Sequence, residues 1–495
     1  MNEGDAVEGS PGVERLATGV PGLDAVLAGG LVRCDVALIA GEPGTGKTTL
    51  GNQLAFRHAA GGGVALYATV LTEPHDRMLT HLAGFAFLAP ELVGTALSYL
   101  SLAEVFAEDG MEGGLGLLRR TVRERGATLL VVDGAARLAD FADSAAAFRR
   151  FAAMLQGQLA ALGCTTVLLA QEDGGETVRS LGTHVDGILL LETGRGAGRD
   201  RRFLRVTKLR GASPLTGPHE FAIGGDGVAI SPRLEAVLAP AEPPAGGARN
   251  RSPFGIPDLD AMLGGGLPSG STTLIYGPTG AGKTTLSLHF LAEGTRRGEP
   301  GLMAGFHESP VRLREKTAAL GLASSTGESV IRFAWEPRRD RPLDAWGAEL
   351  LATVSAHGLR RLVVDAIGDL ADLAPDPDRL APFLSALADE LRAAGVTALF
   401  IGETGQVVAP TIEFAVPAAS ATLDNALVLR YVEFRSQLRR LVSVVKVRDS
   451  GFDPSLREFA ITGRGIVVAE TFASAEAILT GTARLLARPD VGVGG

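Results

Sequence analysis

Two stretches of this sequence carry residues whose types and spacing suit phosphate chemistry. Gly41-Glu42-Pro43-Gly44-Thr45-Gly46-Lys47-Thr48 and Gly277-Pro278-Thr279-Gly280-Ala281-Gly282-Lys283-Thr284 both read GxxxxGK[ST]. The glycines let the backbone turn tightly enough for its N–H groups to converge on phosphate oxygens. A helix opening directly after the loop adds the positive end of its dipole. Lys47 and Lys283 then neutralise the outer phosphates, and the Thr48 and Thr284 hydroxyls can ligate Mg²⁺. Thr49 and Thr285, the next residues along, complete the expected ATP-binding set.

A phosphate loop needs a carboxylate to hold the metal and a group to orient the attacking oxygen. Asp133 ends the apolar run LLVVD and Asp365 ends RLVVD. Each is expected to reach Mg²⁺ through a water. Glu73, in Thr72-Glu73, and Glu308, in His307-Glu308, follow the second strand-like run of each copy. They are the candidate catalytic carboxylates. A bland alternative is a helix-start carboxylate favoured by the dipole.

The elements that must position these residues are written twice. TGVPGLDAVLAGGLVRCDVALIAGEPGTGKTTL (18–50) reappears as FGIPDLDAMLGGGLPSGSTTLIYGPTGAGKTTL (254–286). The match continues through the aspartates to VTKLRGASPLTGPHEFAI (206–223) and VVKVRDSGFDPSLREFAI (444–461). A repeat of this length is a duplicated domain, not a solenoid unit. In copy one the apolar runs VALIA, VALYATV, TLLVVD, TTVLLA and GILLL alternate with helical patterns. In copy two TTLIY, GLMAGF, RLVVD, TALFIG and ALVLRYV do the same. Fully apolar strands between helices predict a mainly parallel sheet covered on both faces. The fold class is α/β, twice: two tandem P-loop domains at 15–235 and 253–470. The Pro/Ala/Gly-rich stretch 236–252 reads as a linker. Residues 1–14 read as a disordered N-terminus. Residues 471–495 form a tail with a short amphipathic helix around Ala475 to Leu486.

Composition sets outer bounds. At 46% hydrophobic and 21% charged, the 495 residues can build large cores. A net charge of −9 argues against a protein that coats itself in nucleic acid. Two cysteines, Cys34 and Cys164, sit in or beside apolar runs and read as buried small hydrophobes, with no disulfide framework. The acidic N-terminal segment lacks the pattern of a signal peptide. No apolar run reaches the length of a membrane span. These features predict a cytoplasmic protein without a membrane anchor.

The segments GLDAVLAGGL (22–31), LDAMLGGGL (259–267), KLRG (208–211), YVEFR (431–435) and KVRDSGFDPSLREF (446–459) are more specific than a phosphate loop. With both loops, they make residues 15–470 resemble KaiC, the double-domain circadian clock ATPase and autokinase family. The resemblance implies RecA-like domains, Mg-ATP as cofactor, and a two-tier ring of six identical subunits with ATP at subunit interfaces. It also implies that Lys208, Arg210, Lys446 and Arg448 reach the ATP of a neighbouring subunit, as an arginine finger does. Lys208 and Arg210 show no partner carboxylate nearby in sequence. Two departures stand out. The clock members carry paired glutamates where Thr72-Glu73 and His307-Glu308 keep only the second, which leaves His307 as the alternative base. Counting back from YVEFR, Ser420 falls at the family's phosphoserine, whereas Ala421 replaces its phosphothreonine.

Three readings follow. The first is a KaiC-like ATPase, with autokinase activity in the second domain at Ser420, acting in timing or signalling. The second is a DNA-remodelling motor of the recombinase or helicase class, for which the arginine-rich segment 194–202 is the one candidate contact; a hairpin turn is its bland account. The third is a nucleotide-gated scaffold with little turnover. The sequence identifies no signalling partner.

Overall fold

The computed structural model describes residues 13–70, 74–172, 176–196, 199–238, 250–323, 331–337, 341–404, 422–434, 437–448, 450–463 and 465–469. Thr72, Glu73, Ser420, Ala421, most of the linker stretch and the C-terminal tail lie outside them. The chain divides into two compact units between Val237 and Leu238.

The first unit contains β1 (Arg15–Leu16), β2 (Leu31–Val32), β3 (Val36–Gly41), β4 (Ala65–Thr69), β5 (Leu97–Ser101), β6 (Leu129–Asp133), β7 (Thr165–Gln171), β8 (Gly187–Gly196), β9 (Arg199–Leu209), β10 (His219–Gly224) and β11 (Gly227–Ser231). Among the described residues, β3 to β11 form one sheet in the order 11-10-9-8-3-7-6-4-5. The six strands from β8 to β5 run parallel. The other three extend the sheet antiparallel.

Strand alternation splits the core in two. Ala37, Ile39, Tyr67 and Val131 pack with Leu50, Leu54 and Phe56 of helix Lys47–Ala60. Val36, Leu38, Leu66 and Val132 face the opposite side, against Phe106, Phe148, Phe151 and Leu155. Because the side-chain period of a strand is two, a run with no polar residue must meet apolar helices on both faces. That is why VALIA and Leu129 to Val132 are buried throughout.

The second unit repeats this plan with β12 (Arg251–Ser252), β13 (Leu267–Pro268), β14 (Thr272–Pro278), β15 (Gly301–Gly305), β16 (Arg332–Trp335), β17 (Arg361–Asp365), β18 (Thr397–Thr404), β19 (Asn425–Phe434), β20 (Gln437–Val447), β21 (Arg457–Thr462) and β22 (Gly465–Val468). The sheet order is 16-15-17-18-14-19-20-21-22, the topology of the first unit. Ile275, Met303, Val363 and Leu399 pack against Leu286 and Phe290 of helix Lys283–Arg296.

One local expectation needs correction. Cys164 is buried, and burial pushes its thiol up to about 12. Cys34 is only half-buried and sits in the turn before β3 with φ of 64°, so the chain reversal, not the apolar run, sets its environment. The arginine-rich segment lies on the hairpin β8–β9, with Gly196 opposite Arg199. Two of its four arginines pair with carboxylates: the exposed Arg195 with Asp200, and Arg201 in a buried pair with Glu220. Among the described residues, no helix is long and apolar enough to cross a membrane.

Candidate functional site

Each phosphate loop joins a central parallel strand to a helix. Gly46 and Gly282 precede helices Lys47–Ala60 and Lys283–Arg296 with φ of 103° and 106°, a left-handed conformation that glycine adopts without the Cβ penalty. The turn aims the first helical N–H groups back over the loop. Gly41, Gly44 and Thr45 shape the first loop; Gly277, Thr279, Gly280 and Ala281 shape the second. Thr45 and Ala281 are fully buried supports. Lys47 Nζ donates to the carbonyls of Gly41 and Glu42, each at 2.8 Å. Lys283 Nζ donates to those of Gly277 (2.8 Å) and Pro278 (2.9 Å), and to Glu403 Oε1 at 3.1 Å.

The threonine and the strand-end aspartate meet in both units. Thr48 Oγ1 donates to Asp133 Oδ2 at 2.9 Å, and Thr284 Oγ1 to Asp365 Oδ2 at 3.1 Å. A hydroxyl and a carboxylate are hard oxygen donors, a set that suits Mg²⁺ when phosphate oxygens and waters complete its shell. Burial pushes both aspartates upward. At Asp133, hydrogen bonds from Tyr67 and Thr48 and the charge of Lys47 oppose that rise. At Asp365, Glu308 and Glu403 add to it. Burial lowers Lys47 from the usual ammonium range, against the attraction of Asp133.

In the second unit, Lys283, Thr284, His307, Glu308, Asp365 and Glu403 line one cleft of about 450 Å³. Glu308 accepts from Lys316 Nζ at 3.3 Å. His307 Nε2 lies 3.0 Å from Oδ1 of the buried Asp369. Phe306, just before His307, is held by both tryptophans of the chain: Trp335 Nε1 donates to its carbonyl at 3.2 Å, and the Trp346 ring stacks on its ring at 5.9 Å between centroids. Sequence reading missed Lys316, Asp369 and Glu403. For Glu403 a signal existed, a charged residue closing the apolar run TALFIG.

The late cations meet partners within their own units. Arg210 pairs with Asp186 and Arg448 with Asp424, each at 3.1 Å. Lys208 donates to the carbonyls of Gly182 and Val185, and Lys446 to that of Leu423. The antiparallel register is the cause. Gly187 lies opposite Leu209 and Asn425 opposite Val447, so the preceding aspartate of each hairpin arrives beside the arginine. Asp186 also accepts from Val36 N, and Asp424 from Thr272 N, which ties each cation to the start of the phosphate-loop strand. The Arg210 and Arg448 side chains remain 60% and 49% exposed.

A central parallel strand, a glycine-shaped loop, a helix-opening lysine and a threonine–aspartate pair, all present twice, define a tandem P-loop ATPase. The ATPase model named KaiC matches residues 16–235 and 252–472, and the chain belongs to that family. It is 26% identical over 487 residues to the circadian clock oscillator protein KaiC of Picosynechococcus sp., covering 95% of this chain and 92% of that one. It is 25% identical to the protein of that name in Rippkaea orientalis and to the circadian clock oscillator protein KaiC 1 of Synechocystis sp., with the same coverage.

Proposed function

We propose that both domains bind Mg-ATP and hydrolyse it, and that the chain assembles through its nucleotide sites into a two-tier homohexamer acting in timing or signalling in the cytosol. The observation that carries this reading is the same lysine, threonine and aspartate arrangement in two units of one topology. Lys47 and Lys283 hold the outer phosphates, Thr48 and Thr284 would hold Mg²⁺ directly, and Asp133 and Asp365 would hold it through water. The bound metal would draw charge from the phosphate oxygens. Glu73 and Glu308 orient the attacking water. Lys208, Arg210, Lys446 and Arg448 face a neighbouring subunit's nucleotide, a role that the exposure of the two arginine side chains supports. Nucleotide counting tests the assignment. Lys47→Ala and Lys283→Ala should each remove one nucleotide per chain. A single variant that still binds two with unchanged affinity overturns the reading for that domain.

The pairing of His307 with Asp369 favours a second activity, phosphate transfer from ATP to Ser420 in the second domain. A carboxylate on one imidazole nitrogen orients the other as a proton acceptor for a hydroxyl. The serine oxygen attacks the γ-phosphorus, ADP leaves, and the hydroxyl proton passes to His307. Phosphopeptide mass spectrometry after incubation with Mg-ATP should find phosphate at Ser420 and lose it in Ser420→Ala. Phosphate mainly elsewhere, or none, removes this reading while leaving hydrolysis intact.

A further inference from the structure

The two loop lysines hold different company. An ammonium carries three protons. Lys47 spends two on its own loop carbonyls. Lys283 spends two in the same way and the third on Glu403. Its side chain is 6% exposed while that of Glu403 is 55% exposed, so the carboxylate reaches the ammonium from the open side of the cleft.

The equivalent place in the first domain is fixed by register. Glu403 lies opposite Gly277 across β18 and β14. Gln171 lies opposite Gly41 across β7 and β3. At one position beside each phosphate loop, the first domain carries a neutral carboxamide and the second a carboxylate. Glu403 joins Glu308 and Asp365 in the lining of the second cleft. The upward push that Glu308 and Glu403 exert on Asp365 reports the accumulated negative charge.

We propose that Glu403 is a counter-anion gate on the second nucleotide site: incoming phosphate must displace its carboxylate from Lys283 and then lie beside it, which disfavours the triphosphate relative to the diphosphate at that site. The proposal rests on the phosphate-loop reading above. Displacing the carboxylate costs every nucleotide the ion pair. The repulsion that follows grows with each further charged phosphate near the strand end, so it weighs more on ATP than on ADP. The first site, with Gln171, imposes neither cost.

The test uses the full chain carrying Lys47→Ala, so that nucleotide titration in Mg²⁺ reads the second site alone. Glu403→Gln places there the group that the first domain already has. It should tighten ATP about two- to fivefold, the range for losing one partly exposed ion pair, and tighten ADP by less. Unchanged or weaker ATP binding, or equal tightening of both nucleotides, overturns the proposal. Should Glu403→Gln fail to fold, Gln171→Glu in a Lys283→Ala chain runs the test in mirror form: ATP should loosen at the first site by a similar factor, and unchanged or tighter binding overturns the gate. The two readings fail separately. If the Lys47→Ala, Lys283→Ala double variant still binds two nucleotides, the phosphate-loop assignment is wrong whatever Glu403 does.

Discussion

Glu308 lies in the cleft of Lys283 and Asp365, within reach of a cation of its own, Lys316. A positioned carboxylate that orients water is worth about 10²–10⁴-fold in rate. The double variant Glu73→Gln, Glu308→Gln should therefore cut ATP turnover by about that range, and full turnover in it would remove both residues from the chemistry. The two loops were legible because their function resides in contiguous residues: glycines, lysine and threonine act within one turn of chain. Their companions were not. Glu403 meets Lys283 across 120 residues, and Asp369 meets His307 only because two neighbouring strands end together. No local pattern announces a partner delivered by the sheet.

At the scale of elements, the start of each phosphate-loop strand is an electrostatic junction. In the first unit Asp35 stands just before β3, beside Asp186, Arg210 and Arg15. Its carboxyl is pushed up to about 6, by burial first and by the Asp186 charge second. The folded chain then holds this proton more tightly than the unfolded chain, whose carboxyl keeps a value near 3.8. That contribution to stability is full below about pH 4 and is lost as pH rises through about 6. Asp35→Asn should flatten this part of the pH–stability curve, read by denaturant melts of the full chain; an unchanged slope would place the proton elsewhere. Element order was visible in the sequence where strands are buried on both faces, since uninterrupted apolar runs need no partner to be recognised. The outer strands were harder. The segments LSYLS of β5 and RFAW of β16 mix polar and apolar residues because each pairs on one side only, and β9 and β20 interleave arginines and a lysine with their apolar residues.

For the whole molecule, ring assembly is the first question. Arg210 and Arg448 are each tied to an aspartate of their own hairpin yet keep much of the side chain exposed. A cation fixed in this way can meet a neighbour's phosphates with little loss of side-chain freedom. Light scattering should show a hexamer in Mg-ATP and smaller species without nucleotide, with Arg210→Ala and Arg448→Ala shifting the balance toward the smaller species. A monomer at every concentration in ATP would exclude the ring. The duplication was legible because the repeat spans whole domains, but the divergence between copies lies in single side chains that a common fold tolerates. One such divergence makes the molecule its own instrument. Both tryptophans belong to the second domain and both grip Phe306, one residue from the His307 that lines its cleft. Indole emission is thus a colour tag on one of two otherwise matching sites. An ATP titration followed by that light should trace occupancy of the second domain while the first fills unseen.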